Sequence, residues 1–206
     1  MTSKNKPNAH ATKFVPETFD ADYYQRFYAN RDTQAVSTEE QQRQAQFVAA
    51  YLNYLELPIN NILDLGCGIG QMLGALKVAF PEADCRGVEF STYLCAELGW
   101  EQGSVVDYAG APADLVVCND VLGYLDQDAC QEALANLARL SCSALYLSVL
   151  TEEDLPVCDT ALTDMRQQLR PVAWYRKQLQ QNFVAVGGGL FLRQPLQAAI
   201  WQLERT

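Results

Sequence analysis

The chain has 206 residues, 49% apolar and 19% charged, with a formal net charge of −10. That length suits one domain with a substantial core, and no run approaches the roughly 18 apolar residues of a membrane span. The surplus of carboxylates disfavours nucleic acid as a partner, because Lys and Arg contacts to phosphate carry that affinity; the Arg166, Arg170, Arg176 and Lys177 group is read as the solvated face of a helix.

Residues 1–18 are polar and proline-spaced and read as a mobile tail, without the apolar core of a secretory signal. Residues 20–30 set Tyr23, Tyr24, Phe27 and Tyr28 at helical spacing, with one aromatic face. Ser37-Thr38-Glu39-Glu40 is a capping signal for a helix through Phe47, Val48, Tyr51, Leu52 and Leu55 that stops before Pro58. A first strand is predicted near 61–65, a helix over 70–80 and a second strand near 85–89. Ser91 caps a short helix ending near Gly99, and a weak third strand falls near 103–106. The fourth strand covers about 113–118, and Asp126 or Asp128 caps the next helix. The fifth strand lies at about 143–149, followed by a polar stretch over 151–171 and a helix near 172–181. Two apolar runs, 183–186 and 190–192, flank a triple glycine that suits a turn or a bulge, and 197–205 fits strand or helix. Strands separated by helices of this length indicate a doubly wound α/β sheet. Seven cysteines are scattered without a CxxC pair, which reads as free buried thiols in a reducing cytosol and as no metal site.

The most informative run is Ile62-Leu63-Asp64-Leu65-Gly66-Cys67-Gly68-Ile69-Gly70. A strand drives into alternating glycines, and a helix opens at once. Glycines there let backbone approach a ligand where a Cβ would collide. Glu89 ends the next strand, where an acid can accept hydrogen bonds from ribose hydroxyls. A dinucleotide fingerprint starting at Gly66 needs Gly or Ala at position 71, which is Gln71. Asp64 with Gly66, Gly68 and Gly70, followed by Ala113 to Leu125 as a fourth strand and its loop, resembles the class I S-adenosylmethionine-dependent methyltransferases. The resemblance is best over 60–150. It implies a Rossmann-like, doubly wound, seven-stranded sheet, mostly parallel, with an antiparallel C-terminal strand inserted beside strand 5. It also implies S-adenosylmethionine as cofactor and a methyl acceptor that is most simply a small molecule. Residues 19–206 form one domain on this reading, with 19–58 as a helical lid and 151–182 as an acceptor-side insertion and helix.

The resemblance assigns Asp64, Gly66, Cys67, Gly68, Glu89, Phe90, Ser104, Val105, Asn119 and Tyr28 to the cofactor, with Asp107 as a second candidate at the adenine edge. Ser104 stands where many members carry Asp. Tyr24, Arg31, Tyr124, Trp174, Tyr175 and Arg176 are assigned to the acceptor, with Arg170 or Arg176 as a partner for an anionic group. The only histidine is His10, in the tail, so Asp120, Tyr124, a carboxylate among 152–154 or water is left as the proton acceptor. Asn119-Asp120-Val121-Leu122 departs from the Asn-Pro-Pro-Tyr sequence of the branch that methylates bases and glutamine. Two other readings stand beside this one: a non-catalytic nucleoside-binding or protein-interaction module, and an NAD-dependent oxidoreductase. The sequence leaves the oligomeric state open.

Overall fold

A computed structural model describes residues 14–29 and 37–200. Seven strands, β1 (Asn61–Leu65), β2 (Asp84–Glu89), β3 (Glu101–Gln102), β4 (Ala113–Asn119), β5 (Ser141–Ser148), β6 (Phe183–Gly187) and β7 (Leu190–Arg193), form one sheet. Their order is β3-β2-β1-β4-β5-β7-β6. β7 is antiparallel to both β5 and β6 while the other pairings are parallel, so the inserted antiparallel strand stands where the resemblance placed it. Six helices complete the described fold: α1 (Ala21–Tyr24, continuing as a π-helical stretch Gln25–Ala29), α2 (Thr38–Tyr54), α3 (Gln71–Ala79), α4 (Thr92–Leu98), α5 (Gln127–Leu140) and α6 (Val172–Leu179).

Local chemistry explains where the helices begin. Asp20, Ser37, Ser91 and Asp126 each accept a backbone N–H three residues on, at 2.9–3.2 Å. Asp126 rather than Asp128 is therefore the cap of α5. Period-two alternation then divides the core. Ile62, Leu115, Val117, Ala144 and Tyr146 face α2 and α3, and Leu63, Leu65, Val116, Cys118, Leu145 and Leu147 face α5 and α6. Fully buried leucines such as Leu63, Leu65 and Leu145 each stabilise by roughly 1.5–3 kcal/mol.

Three sequence expectations change. Phe14, assigned to the mobile tail, is buried and packs 5.8 Å from Phe19, and Pro16–Thr18 form a short 3-10 turn. The third strand ends at Gln102 instead of spanning 103–106; the Ser104 hydroxyl accepts Val106 N–H and its carbonyl accepts Tyr108 N–H, so local bonds displace the ladder. Residues 197–200 are neither strand nor helix. The triple glycine forms the β6–β7 turn, and a register shift lies between Ala185 and Gly187.

The strand order reverses at β1, which lies between β2 and β4. Ligands in open α/β sheets bind outside the carboxyl ends of strands at such a point. Leu65 pairs with Val88, so Gly66 and Glu89 emerge side by side there. A third cluster, Phe14, Phe19, Tyr24 and Leu94 with Tyr23, Tyr28, Phe90, Trp100 and Tyr124, roofs this edge.

Candidate active site

A cleft of about 750 Å³, mouth included, opens over the glycine turn, walled by Gly66, Gly68, Glu89, Ser104, Asn119 and the N-terminal aromatics. Glu89 anchors it. Its Oε2 accepts Gly68 N–H at 2.7 Å, and its Oε1 accepts Phe90 and Ser91 N–H at 2.9 Å each. The Tyr24 hydroxyl lies at the outer limit of hydrogen bonding, 3.5 Å from Oε1. One carboxylate therefore ties the glycine turn to the end of β2 and still faces the cleft. A Cβ on Gly66 would collide with Val121 Cγ2, whereas one on Gly68 would meet only Tyr28, at 3.9 Å. The space above Gly68 is thus free of the turn's own atoms. Trp100 supports the turn from behind: its Nε1 donates to Gly68 O at 2.9 Å, and its ring lies against Gly70 and Gly87.

A larger cleft, about 2370 Å³ including open solvent, lies beside the first between α2, the ends of β4 and β5, the 151–171 segment and the β6–β7 turn. The two share Tyr23, Tyr28, Asn119, Asp120 and Tyr124. Hydrogen bonds organise this crossing. Tyr124 donates to Asp164 Oδ2 at 3.2 Å, so Tyr23 is the donor in its 2.9 Å bond to the Tyr124 hydroxyl. Gln167 Nε2 reaches Asp120 Oδ1 at 3.3 Å and the Tyr124 oxygen at 3.5 Å. Arg166 grips Asp164 through Nε and Nη2 at 2.7–3.1 Å, and its guanidinium lies over Phe14 and Tyr23 at 5.6 and 5.5 Å.

Electrostatics separates the two candidate proton acceptors. Burial, with the neighbouring Tyr23 and Asp120, drives the Tyr124 phenol far above its usual range, so it stays protonated. Asp120 is exposed by surface area in the cleft wall, while neighbouring protein crowds its carboxyl. That desolvation pushes its carboxyl up to about 6, against the lowering bond from Gln167 and with a raising contribution from Asp164. Burial also raises Asp164, but the hydrogen bonds from Arg166 prevail and hold it below the ordinary range. Asp120 adopts the left-handed region at φ 57°, and its N–H is fixed to Ser148 O at 2.9 Å; non-glycine residues held there cluster at functional sites.

Of the expected cofactor contacts, Gly66, Gly68, Glu89, Phe90, Ser104, Val105, Asn119 and Tyr28 line the smaller cleft. Asp64 and Cys67 do not. Asp64 is 1% exposed, with Oδ1 unpartnered among the described residues, and burial followed by Glu89 pushes its carboxyl up to about 8. Cys67 turns its sulfur toward Gly87, filling space that has no side chain. Asp107 is exposed and lies outside the lining. On the acceptor side, Tyr124, Tyr175 and Arg176 line the larger cleft. Tyr24 belongs instead to the smaller one, beside Glu89. Trp174 lines neither, because one step along α6 turns it about 100° from Tyr175; it packs under Arg170 and against the Tyr175 ring. Arg170 is buried and donates to Leu122 O, Gln168 O, Leu125 O and the Tyr175 hydroxyl, so it braces loops. Arg31 and His10 lie outside the described residues. The sequence reading missed Phe14, Phe19, Trp100, Asp164 and Gln167; Arg166 is exposed as expected, but it lies outside any helix and pairs with Asp164.

A family model described as a methyltransferase domain matches residues 20–186. Among curated proteins, trans-aconitate 2-methyltransferase of Deinococcus radiodurans is 32% identical over 78 residues, 34% of this chain and 30% of that protein. The match thus spans less than a third of that relative. Among solved structures, magnesium protoporphyrin IX methyltransferase from Synechocystis with bound SAH aligns at a TM-score of 0.66 and 20% identity, covering 86% of this chain and 97% of that one. The plantazolicin methyltransferase in complex with a pentazolic desmethylPZN analogue and SAH aligns at 0.61 and 18%, covering 80% and 70%. At these identities the likeness is one of fold.

Proposed function

Because the chain belongs to the methyltransferase domain family, matched over residues 20–186, we propose that it transfers a methyl group from S-adenosylmethionine to a small-molecule acceptor. The observation that carries this reading is the crossing: two clefts that meet at Tyr23, Tyr28, Asn119, Asp120 and Tyr124. A donor in the smaller cleft and an acceptor in the larger would face each other there. The residues present fit the donor. Glu89 Oε2 accepts one backbone N–H and keeps acceptor capacity for a ribose hydroxyl. The space over Gly68 is clear of the turn, and Ser104, Val105 and Phe90 line the same cleft.

When bound, the donor supplies a methyl on a positively charged sulfur; the acceptor's lone pair forms the new bond, and the old bond's electrons stay on sulfur as a thioether. The protein's part is to hold, align and exclude water, which lowers such barriers by about 7–11 kcal/mol. Tyr23, Tyr28 and Phe19 roof the donor cleft, and the Tyr23–Tyr124–Asp164 bonds hold that roof against the 151–171 segment. Asp120 stands at the crossing with its carboxyl pushed up to about 6 by burial, which supports it as the group that takes a proton from the acceptor. The free thiols and the acidic charge support cytoplasmic action without nucleic acid.

S-adenosylhomocysteine at 100 times its dissociation constant should stabilise the protein by about 2.7 kcal/mol, read as a rise in Tm, and NAD should give none. Glu89→Gln, checked as folded by its own unfolding transition, should lose most of the rise. A shift from NAD alone, or no shift from S-adenosylhomocysteine, would refute the reading.

A further inference from the structure

The larger cleft has an uneven charge. Its walls carry Glu40, Asp120, Asp154, Asp159 and Asp164, against Arg176 as the one lining cation among the described residues. Other nearby cations are already engaged: Arg166 neutralises Asp164 in a two-pronged contact, and Arg170 is buried on loop carbonyls. The described wall thus repels a carboxylate acceptor. The remaining wall is largely aromatic, with Tyr23, Phe27, Tyr28, Tyr146, Tyr175 and Phe191. Ring faces attract cations and offer apolar area to a ligand body.

At the crossing, where the reacting atom must sit, stands Asp120. Its left-handed backbone, pinned to Ser148 O, holds it there, and Gln167 occupies Oδ1. The groups facing it are Asp164, itself paired with Arg166, and the phenols of Tyr23, Tyr28 and Tyr124. Burial raises all three phenols well above their usual range, so they stay neutral. Asp120 is therefore the titrating anion available to a cation at this point.

We propose, resting on the methyl-transfer reading, that the acceptor is an amine: its ammonium form pairs with the Asp120 carboxylate, and its apolar body lies on the aromatic wall. The carboxylate then accepts one proton from the ammonium, which frees the nitrogen lone pair, and passes that proton to water in the cleft.

Binding tests this apart from turnover. Matched probes differing only in the charged end, tryptamine against indole-3-propionate and phenethylamine against 3-phenylpropionate, are titrated by calorimetry into the full chain with S-adenosylhomocysteine present, from pH 5 to 8. The amines should bind about tenfold or more tightly than their carboxylate partners. Burial pushes the empty Asp120 carboxyl up to about 6, so amine affinity should fall about fivefold from pH 6 to 5 and level off above about pH 7. Asp120→Asn, which the left-handed backbone tolerates, should erase both the preference and the pH dependence. Carboxylates binding as well as amines, no binding by either amine, or an amine preference that survives Asp120→Asn would overturn the assignment. Failure of S-adenosylhomocysteine itself to bind would sink the methyl-transfer reading beneath it.

Discussion

Two carboxyls illustrate how position alone changes an acid. Asp64 and Asp120 are the same side chain, yet one is sealed beneath the glycine turn and the other opens on a cleft. An Asp64 held protonated to about 8, against 3.8 unperturbed, means the folded chain keeps a proton that the unfolded chain releases. Its contribution to stability is therefore complete below about 4 and lost as pH rises toward 8. Asp120 acts the same way but is exhausted by about 6. Between pH 6 and 8, then, the urea midpoint of the wild type should fall, and that of Asp64→Asn should fall less. A parallel decline in both would show that Asp64 is ionised in the fold. The same contrast predicts kinetics. kcat/KM should rise with pH through about 6, and Tyr124→Phe should keep that limb because its phenol stays protonated across it; a lost limb in this variant would make Tyr124 the base. The glycine turn and Glu89 were legible because strand, turn and acid lie close along the chain. Trp100 and Asp164 were not. Trp100 acts on a carbonyl 32 residues away and Asp164 on a hydroxyl 40 away, and no local period marks either.

At the scale of elements, the roof is built from two segments remote in sequence. Arg166 joins them, gripping Asp164 within the 151–171 segment while its guanidinium lies over Phe14 and Tyr23. Stacking of this kind at an exposed site contributes about 0.5–1 kcal/mol per ring. Arg166→Ala should accordingly loosen the roof: protease cleavage within 14–29 should quicken several-fold, and affinity for S-adenosylhomocysteine should drop several-fold. Unchanged cleavage would mean the aromatic cluster holds by itself. The helical spacing of Tyr23, Tyr24, Phe27 and Tyr28 announced an aromatic face, and the structure turns that face onto the sheet's carboxyl edge. Phe14 escaped notice because the lone pair Phe14-Val15 in a polar tail carries no period. The weak third strand was misplaced for a related reason, since the Ser104 hydroxyl competes with the ladder and no apolar alternation resists it.

For the whole molecule, the doubly wound architecture was readable, because alternating strand and helix periods indicate a parallel sheet with helices on both faces; the strand order came from the structure. The inserted antiparallel strand came from the family resemblance rather than from any period in 183–192. The acidic total charge was read against nucleic acid; in the fold, part of it gathers on the wall of the larger cleft.

The shared wall has a further thermodynamic consequence. Tyr23, Tyr28, Asn119, Asp120 and Tyr124 each belong to both chambers, so an occupant of one touches the wall offered to the other. Linkage then requires reciprocity: the factor by which the first occupant strengthens the second equals the factor by which the second strengthens the first. Catalytic turnover on this scaffold becomes a question of sequence in time, with the exit of one spent molecule bound to the fate of its companion.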